Sequence, residues 1–248
     1  MPERIIDMEF RIEQYDCLPS TNTLAMRRGA AGEAEGLVLC ADCQSGGKGR
    51  RGHVFFCPRG SGLYFSILLR PSCAPEEAVL LTAAAAAAVC EAADALFGCH
   101  SAIKWVNDVW CGGKKVCGIL TEGALSPEGG MKYAVVGIGI NVYTPGNGFP
   151  EALRDTAGAL LGKRPQGEDL RPRLMQEILT RFLPYYERLP DRTFFDAYRS
   201  RSFVLGRRIA VEGRGATALS LEPDCRLRVR YDDGAESLLN SEEISIRL

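Results

Sequence analysis

Histidine is scarce in this chain: His53 and His100 are the only two in 248 residues. Cys40-x-x-Cys43, the one close cysteine pair, therefore lacks the second pair or the nearby imidazoles that a zinc site needs. It reads as small packing residues rather than a metal or redox motif. Net charge is scarce too. Thirty Lys+Arg against 31 Asp+Glu leave −1 at neutral pH, so no global field draws the protein to nucleic acid or anionic lipid. Any anion binding must be local. No uninterrupted run approaches the roughly 18 apolar residues of a membrane span, and no membrane association is expected. The start, MPERIIDMEFRIEQYD, alternates charge with apolar residues and lacks the apolar stretch of a signal peptide. Internal repeats and low-complexity linkers are also missing.

What is present describes an ordinary globular chain, 46% hydrophobic and 25% charged, long enough for one large domain or a large one plus a small one. Its 10 cysteines are scattered, several inside apolar runs such as AAVCEAA and GLVLC. That predicts reduced, buried thiols in the cytoplasm, not a disulfide framework.

EFRIEQYD reads as an opening strand, followed by Pro19-Ser20-Thr21-Asn22, where Ser20 or Thr21 can N-cap a helix over NTLAMRRGA. GLVLCAD is a short buried strand and GLYFSILLR an aromatic one. EEAVLLTAAAAAAVCEAADALF is a strong helix former closed by Gly98. In AIKWVNDVWCGGKKVCGILTEG two strands flank a tight turn at Gly112-Gly113, and KYAVVGIGINV is apolar enough for a central strand. Leu170, Leu174, Ile178 and Phe182, spaced by one helical turn, form the stripe of an amphipathic helix. After about residue 202 only short strands are expected, in RRIAVEG, CRLRVRYDDGAESLLN and EISIRL, with a hairpin turn at Asp233-Gly234. The pattern is mixed α/β: a domain over 1–202, then a small β barrel over 203–248.

QSGGKGRRG, Gln44 to Gly52, has the Gly47-x-Gly49-x-x-Gly52 spacing of a dinucleotide-binding fingerprint. HVFFCPRGSGLYFSILL follows, however, with Pro58 and β-formers where that motif needs a helix N-terminus. The triphosphate-binding loop fails as well: Gly47-Lys48, Gly113-Lys114 and Gly162-Lys163 are followed by Gly49, Lys115 and Arg164, not by Ser or Thr. What remains is local charge. From Cys43 to Pro75 there is no acidic residue, while Lys48, Arg50, Arg51, Arg59 and Arg70 are cationic. Glycines let backbone N–H groups approach a ligand, and guanidinium groups grip a carboxylate or phosphate with two parallel bonds. So many glycines predict a loop that orders on binding; a solvated basic loop is the alternative.

IKWVNDVWCGGKKVCGIL adds Lys104, Asn107, Asp108, Lys114 and Lys115 around two apolar strands. Alternation places Lys104 and Asp108 on one side of the first strand, opposite Trp105. An Asp near such cations suits a magnesium ion held mainly by nucleotide phosphates. Taken alone, the segment reads first as a surface hairpin with charged faces and a core Trp.

In their order, these segments resemble the biotin protein ligases. QSGGKGRRG resembles their GRGRRG loop, KWVND their KWPND segment, KKVCGILTEG their (R/K)KxxGILxE strand and VVGIGINV their GxGINx strand. Ser20-Thr21-Asn22 matches an early biotin-contact tripeptide, and EEISIRL the end of a small SH3-like domain. The resemblance implies a catalytic domain of the biotin/lipoate ligase type over 1–202, an SH3-like barrel over 203–248, and a two-step reaction. Biotin's carboxylate attacks the α-phosphate of ATP, giving biotinyl-5′-adenylate and pyrophosphate. A lysine of a biotin carboxyl carrier protein or domain then attacks the mixed anhydride and releases AMP. Carried over, Ser20, Thr21, Asn22 and Gln44 would hold the ureido ring and adjoining polar atoms, with Gly118 against the biotin pocket. Lys48, Gly49 and Arg50 would wrap the carboxylate and the adenylate phosphate. Lys115 would reach both reacting groups. Arg51 and Lys104 join the ATP set, Asn107 and Asp108 would face the phosphates and Mg2+, and Asn141 would approach the adenine. Arg50, Lys115 and Asp108 form the implied catalytic set.

The sequence also departs from the family. Val106 stands where proline is usual, Lys48 replaces an arginine and so loses bidentate geometry, and His53 and Phe55 replace Arg and Trp. The first strand begins too early for a preceding helix-turn-helix, so no DNA partner or repressor activity is expected; the family allows a homodimer through a sheet edge. Two rival readings remain. One is a lipoate–protein ligase. The other is a non-catalytic module whose terminal barrel binds nucleic acid or peptide, although RLRVRYDDGAESLLNSEE, with one aromatic, is a poor stacking platform.

Overall fold

The computed structural model describes residues 8–127, 129–240, 242, 244 and 245. Seven strands form one sheet: β1 (Arg11–Leu18), β2 (Leu37–Gln44), β3 (Gly62–Leu69), β4 (Ala102–Lys104), β5 (Asp108–Cys111), β6 (Lys114–Leu125) and β7 (Met131–Asn141). Their spatial order is β1-β2-β3-β7-β6-β5-β4. β1 pairs with β2 in parallel and the remaining neighbours are antiparallel, so the sheet is mixed. β7 lies at its centre, as its apolar run requires.

Alternation along each strand sorts side chains between two helical layers. Leu37, Leu39, Leu68 and Val135 pack beneath α1 (Thr21–Ala30), whereas Val38, Phe65, Ile67 and Val136 face the layer of α2 (Ala78–Phe97) and α3 (Arg171–Glu187). Ser20 is the N-cap of α1, accepting from the Thr23 N–H at 3.3 Å. Gly98, at φ 61°, closes α2 in the left-handed conformation. Leu174, Ile178 and Phe182 form the buried stripe of α3, with Leu170 just ahead of the helix.

α2 corrects one expectation. By length and hydropathy it could cross a membrane, because its few polar residues are spread thinly through a run of alanines. Yet 72% of that apolar window is buried inside the fold, and Ala83 to Ala88 are fully covered. Its apolar character is satisfied by a central place in the core.

The second sheet contains β8 (Arg208–Val211), β9 (Arg214–Leu221), β10 (Leu227–Tyr231), β11 (Glu236–Leu239) and β12 (Ile244–Ser245), all antiparallel, ordered β11-β10-β9-β8-β12. Asp233-Gly234 turns the β10–β11 hairpin, with Gly234 at φ 88°. Of EISIRL, Glu243 and residues 246–248 lie outside the described residues. β9 and the short helix α4 (Phe195–Arg201) went unread in the sequence. The mixed α/β class itself holds.

The two sheets share a continuous core that joins Ile103, Val109 and Tyr198 to Ile209, Ala216 and Leu227. Trp105 Nε1 donates to the Cys225 carbonyl at 2.8 Å, and the Tyr198 hydroxyl to the Val106 carbonyl at 2.9 Å.

The thiols differ from expectation at one place. Parallel pairing sets Cys17 opposite Cys43, with Cα atoms 4.7 Å apart, and they form a disulfide. The other eight cysteines are free.

Candidate active site

A cavity of about 290 Å3 opens between the Gln44–Gly52 loop, the start of α1 and the glycine-bearing stretches of β6 and β7. The loop closes on itself: Gly49 N–H donates to the His53 carbonyl at 2.7 Å and Phe55 N–H to the Gly47 carbonyl at 3.0 Å. Gly47 has to be glycine, because a Cβ there would lie 2.4 Å from the Phe55 carbonyl oxygen. A single helical turn at Arg50–Gly52 is all that follows before β3, so the loop opens no helix for a pyrophosphate. The Phe55 ring covers the two strands: a Cβ on Gly139 would meet it at 2.8 Å and one on Gly118 at 3.2 Å.

One end of the cavity is uncharged and hydrogen-bonded. Ser20, Thr21 and Asn22 are buried where α1 begins. The Thr21 N–H donates to Gln44 Oε1 at 2.7 Å, fixing Gln44 at the end of β2; the Thr21 hydroxyl lies 3.1 Å from the same oxygen and 2.7 Å from Ser66 Oγ. Asn22 Nδ2 donates to the Leu120 carbonyl and to Glu122. Ser66, hidden in the apolar run of β3, supplies the hydroxyl that donates to Asn22 Oδ1 at 2.6 Å.

The other end is cationic. Lys48, Arg50, Arg51, Lys104 and Lys115 all border the cavity. Arg50 donates to Asn107 Oδ1 at 3.1 Å, and Asn107 is itself held by donating to the Ile119 carbonyl at 3.0 Å. Lys115 Nζ lies 2.7 Å from Asp108 Oδ1. Arg51 donates to Glu212 in the second sheet at 3.2 Å.

The hairpin corrects the expected strand. β4 ends at Lys104 and β5 begins at Asp108, so these two face each other across the ladder instead of alternating along one strand. Trp105 to Asn107 form the tip, and the Trp105–Val106 peptide is cis.

Several residues singled out in the sequence point elsewhere. Arg59 pairs with Asp16 and Asp42, and Arg70 donates to the backbone carbonyls of Glu33, Gly29 and Lys132. Lys114 is spent on the carbonyls of Arg154 and Asp155. Asn141 does not border the cavity; its Nδ2 donates to the Gly158 carbonyl at 2.9 Å. Glu242 and Ile244, from the second sheet, do border it and went unread.

The donor set does not build a resident metal centre. Among the described residues no three His, Cys, Asp or Glu side chains cluster, and the carboxylate of Asp108 already neighbours Lys115.

The profile of the Biotin/lipoate A/B protein ligase family matches residues 15–141. The bifunctional ligase/repressor BirA of Bacillus subtilis (strain 168) is 36% identical over 173 residues, 69% of this chain and 52% of that protein. The chain thus spans about half the length of that relative. The biotin–[acetyl-CoA-carboxylase] ligase of Paracoccus denitrificans is 33% identical over 171 residues, 68% of each chain. Among solved structures, the biotin protein ligase from Aquifex aeolicus in complex with biotin and ATP is 27% identical with a TM-score of 0.77, covering 96% of this chain and 98% of that one. The chain belongs to the biotin/lipoate A/B protein ligase family.

Proposed function

We propose that this chain is an ATP-dependent biotin protein ligase, which forms biotinyl-5′-adenylate and transfers the biotinyl group to a lysine of a biotin carboxyl carrier domain. The observation that carries the reading is the polarity of the cavity. A neutral, hydrogen-bonding end at Ser20, Thr21, Asn22 and Gln44 suits a ureido ring, and the end with Lys48, Arg50, Lys104 and Lys115 suits a carboxylate beside a triphosphate.

Two anions repel, and the cations offset that repulsion. Displacement at the α-phosphate needs positioning and charge stabilisation, so the chain need not supply a covalent nucleophile. Lys115, oriented by Asp108, is placed to neutralise the reacting oxygens; Arg50, braced by Asn107, brings a two-pronged donor to the adenylate phosphate. Lys48, Gly49 and Arg51 belong to the flap that keeps water from the anhydride. Gly118 leaves room for the ligand. Magnesium enters with the nucleotide, near Asp108. Asn141 shapes the adenine end from behind, through its bond to Gly158. The reading divides the chain into a catalytic part, 1–202, and a smaller SH3-like part, 203–248. It places the enzyme in the cytoplasm, with ATP and carboxylases, and leaves the edge strand β1 for a homodimer, since β4 is bridged at Ile103 by Ser202.

Native mass spectrometry after incubation with biotin, ATP and magnesium tests the reading: a bound biotinyl-adenylate supports it. Adenylate formed from lipoate but not from biotin would make the chain a lipoate ligase instead.

A further inference from the structure

We infer that Ser66 and Glu122 are positioning residues that fix the Asn22 amide so that it offers the ligand an acceptor and no donor, thereby selecting a ring N–H. The inference rests on the biotin reading above. Asn22 borders the cavity; Ser66 and Glu122 stand behind it. Asn22 Nδ2 donates to the Leu120 carbonyl at 3.2 Å and to Glu122 Oε2 at 2.9 Å. An amide nitrogen carries two hydrogens, so both are committed. On the opposite side the fully buried Ser66 Oγ lies 2.6 Å from Asn22 Oδ1 and 2.7 Å from Thr21 Oγ1; its single hydrogen serves Asn22, and the Thr21 hydroxyl donates to Ser66 in turn. Turning the amide over would set Oδ1 against a carbonyl oxygen and a carboxylate. Only one sense satisfies the network.

Oδ1 has two lone pairs and Ser66 takes one, so a single acceptor is what Asn22 has left. Gly137 allows that placement, since a Cβ there would lie 1.9 Å from Oδ1. Glu122 is suited to its part because an ionised carboxylate only accepts; it cannot be satisfied by a reversed amide. Its second oxygen lies 3.9 Å from Lys48 Nζ, so the group that orients Asn22 also neighbours a flap cation. A cyclic urea brings N–H donors to this acceptor. A dithiolane ring brings none and leaves the lone pair unmatched, which costs affinity in a buried site.

The test uses the purified full chain and ATP–pyrophosphate exchange driven by biotin or by its cyclic carbamate analogues, in which one or the other ring N–H is replaced by oxygen. In the wild type one carbamate should raise KM by about tenfold or more with kcat nearly kept. Ser66→Ala and Glu122→Leu free the amide to turn; they should raise KM for biotin by about tenfold and shrink the carbamate penalty to about threefold or less. Glu122→Gln, which can accept from Nδ2 but can also donate to a reversed amide, should lie between wild type and Glu122→Leu in KM for biotin and in the carbamate penalty. Equal losses on both ligands would mean a purely structural role and would overturn the inference. If Glu122→Leu fails to fold, Ser66→Ala decides. A wild type inactive with biotin would defeat the proposed function; an active wild type whose carbamate penalty persists in Ser66→Ala would defeat only this inference.

Discussion

Lys115 Nζ lies 2.7 Å from Asp108 Oδ1 across the β5–β6 hairpin, with the two side chains 33% and 18% exposed. The carboxylate holds the ammonium in place at the cavity wall. In the proposed reaction Asp108 would act on the phosphates through Lys115.

Lys115→Ala and Arg50→Ala are each expected to lower biotin-dependent ATP–pyrophosphate exchange by about 10²–10³-fold, because each removes a charge preorganised beside developing negative charge. Wild-type exchange rates in either variant would refute the assignment of the cationic end.

Glu212→Ala should behave differently. Its pair with Arg51 is solvent-exposed on both sides, 42% and 58%, so stability should change by about 1 kcal/mol or less. Urea unfolding of the variant checks this. A larger loss would mean that the flap is anchored to the second sheet more firmly than an exposed pair allows.

Deleting residues 203–248 takes away Ile209, Ala216 and Leu227 from the shared core, and the carbonyl that accepts from Trp105. The shortened chain is expected to lose cooperative unfolding and exchange activity together. Full turnover by that fragment would show that the first sheet carries the site alone.

Stability should fall in alkali. Burial pushes the thiols of Cys57, Cys90 and Cys225 up to about 12 and that of Cys40 to about 11, from 9.0. Above pH 9 the unfolded chain releases protons that the folded chain keeps, so this contribution is complete below pH 9 and is lost as pH rises towards 12. The denaturant midpoint should drop as pH rises above about 9; a flat or rising midpoint would contradict it.

Much of the fold was legible because it is written in local periodicity: the Leu174, Ile178 and Phe182 stripe, the apolar β7 run, Gly98 after α2. β9 was not, since RGATALSL carries little β propensity and becomes a strand only between β8 and β10. The tip at Trp105 to Asn107 was misread because it contains no Gly or Pro to mark a turn. Cys17 and Cys43 lie 26 residues apart, and only the parallel register brings them together. In the site, the loop cations stood out by composition. Ser66 did not, because a hydroxyl within GLYFSILLR looks like any small residue until Asn22 is folded over it.

Ile244 and Glu242 complete the wall of a cavity whose first residues are Ser20 and Thr21. Polypeptides are made from the N-terminus onward. The end of the cavity at Ser20 and Thr21 is therefore translated long before the wall that encloses it. A nascent chain would hold an unfinished pocket until the second sheet is made.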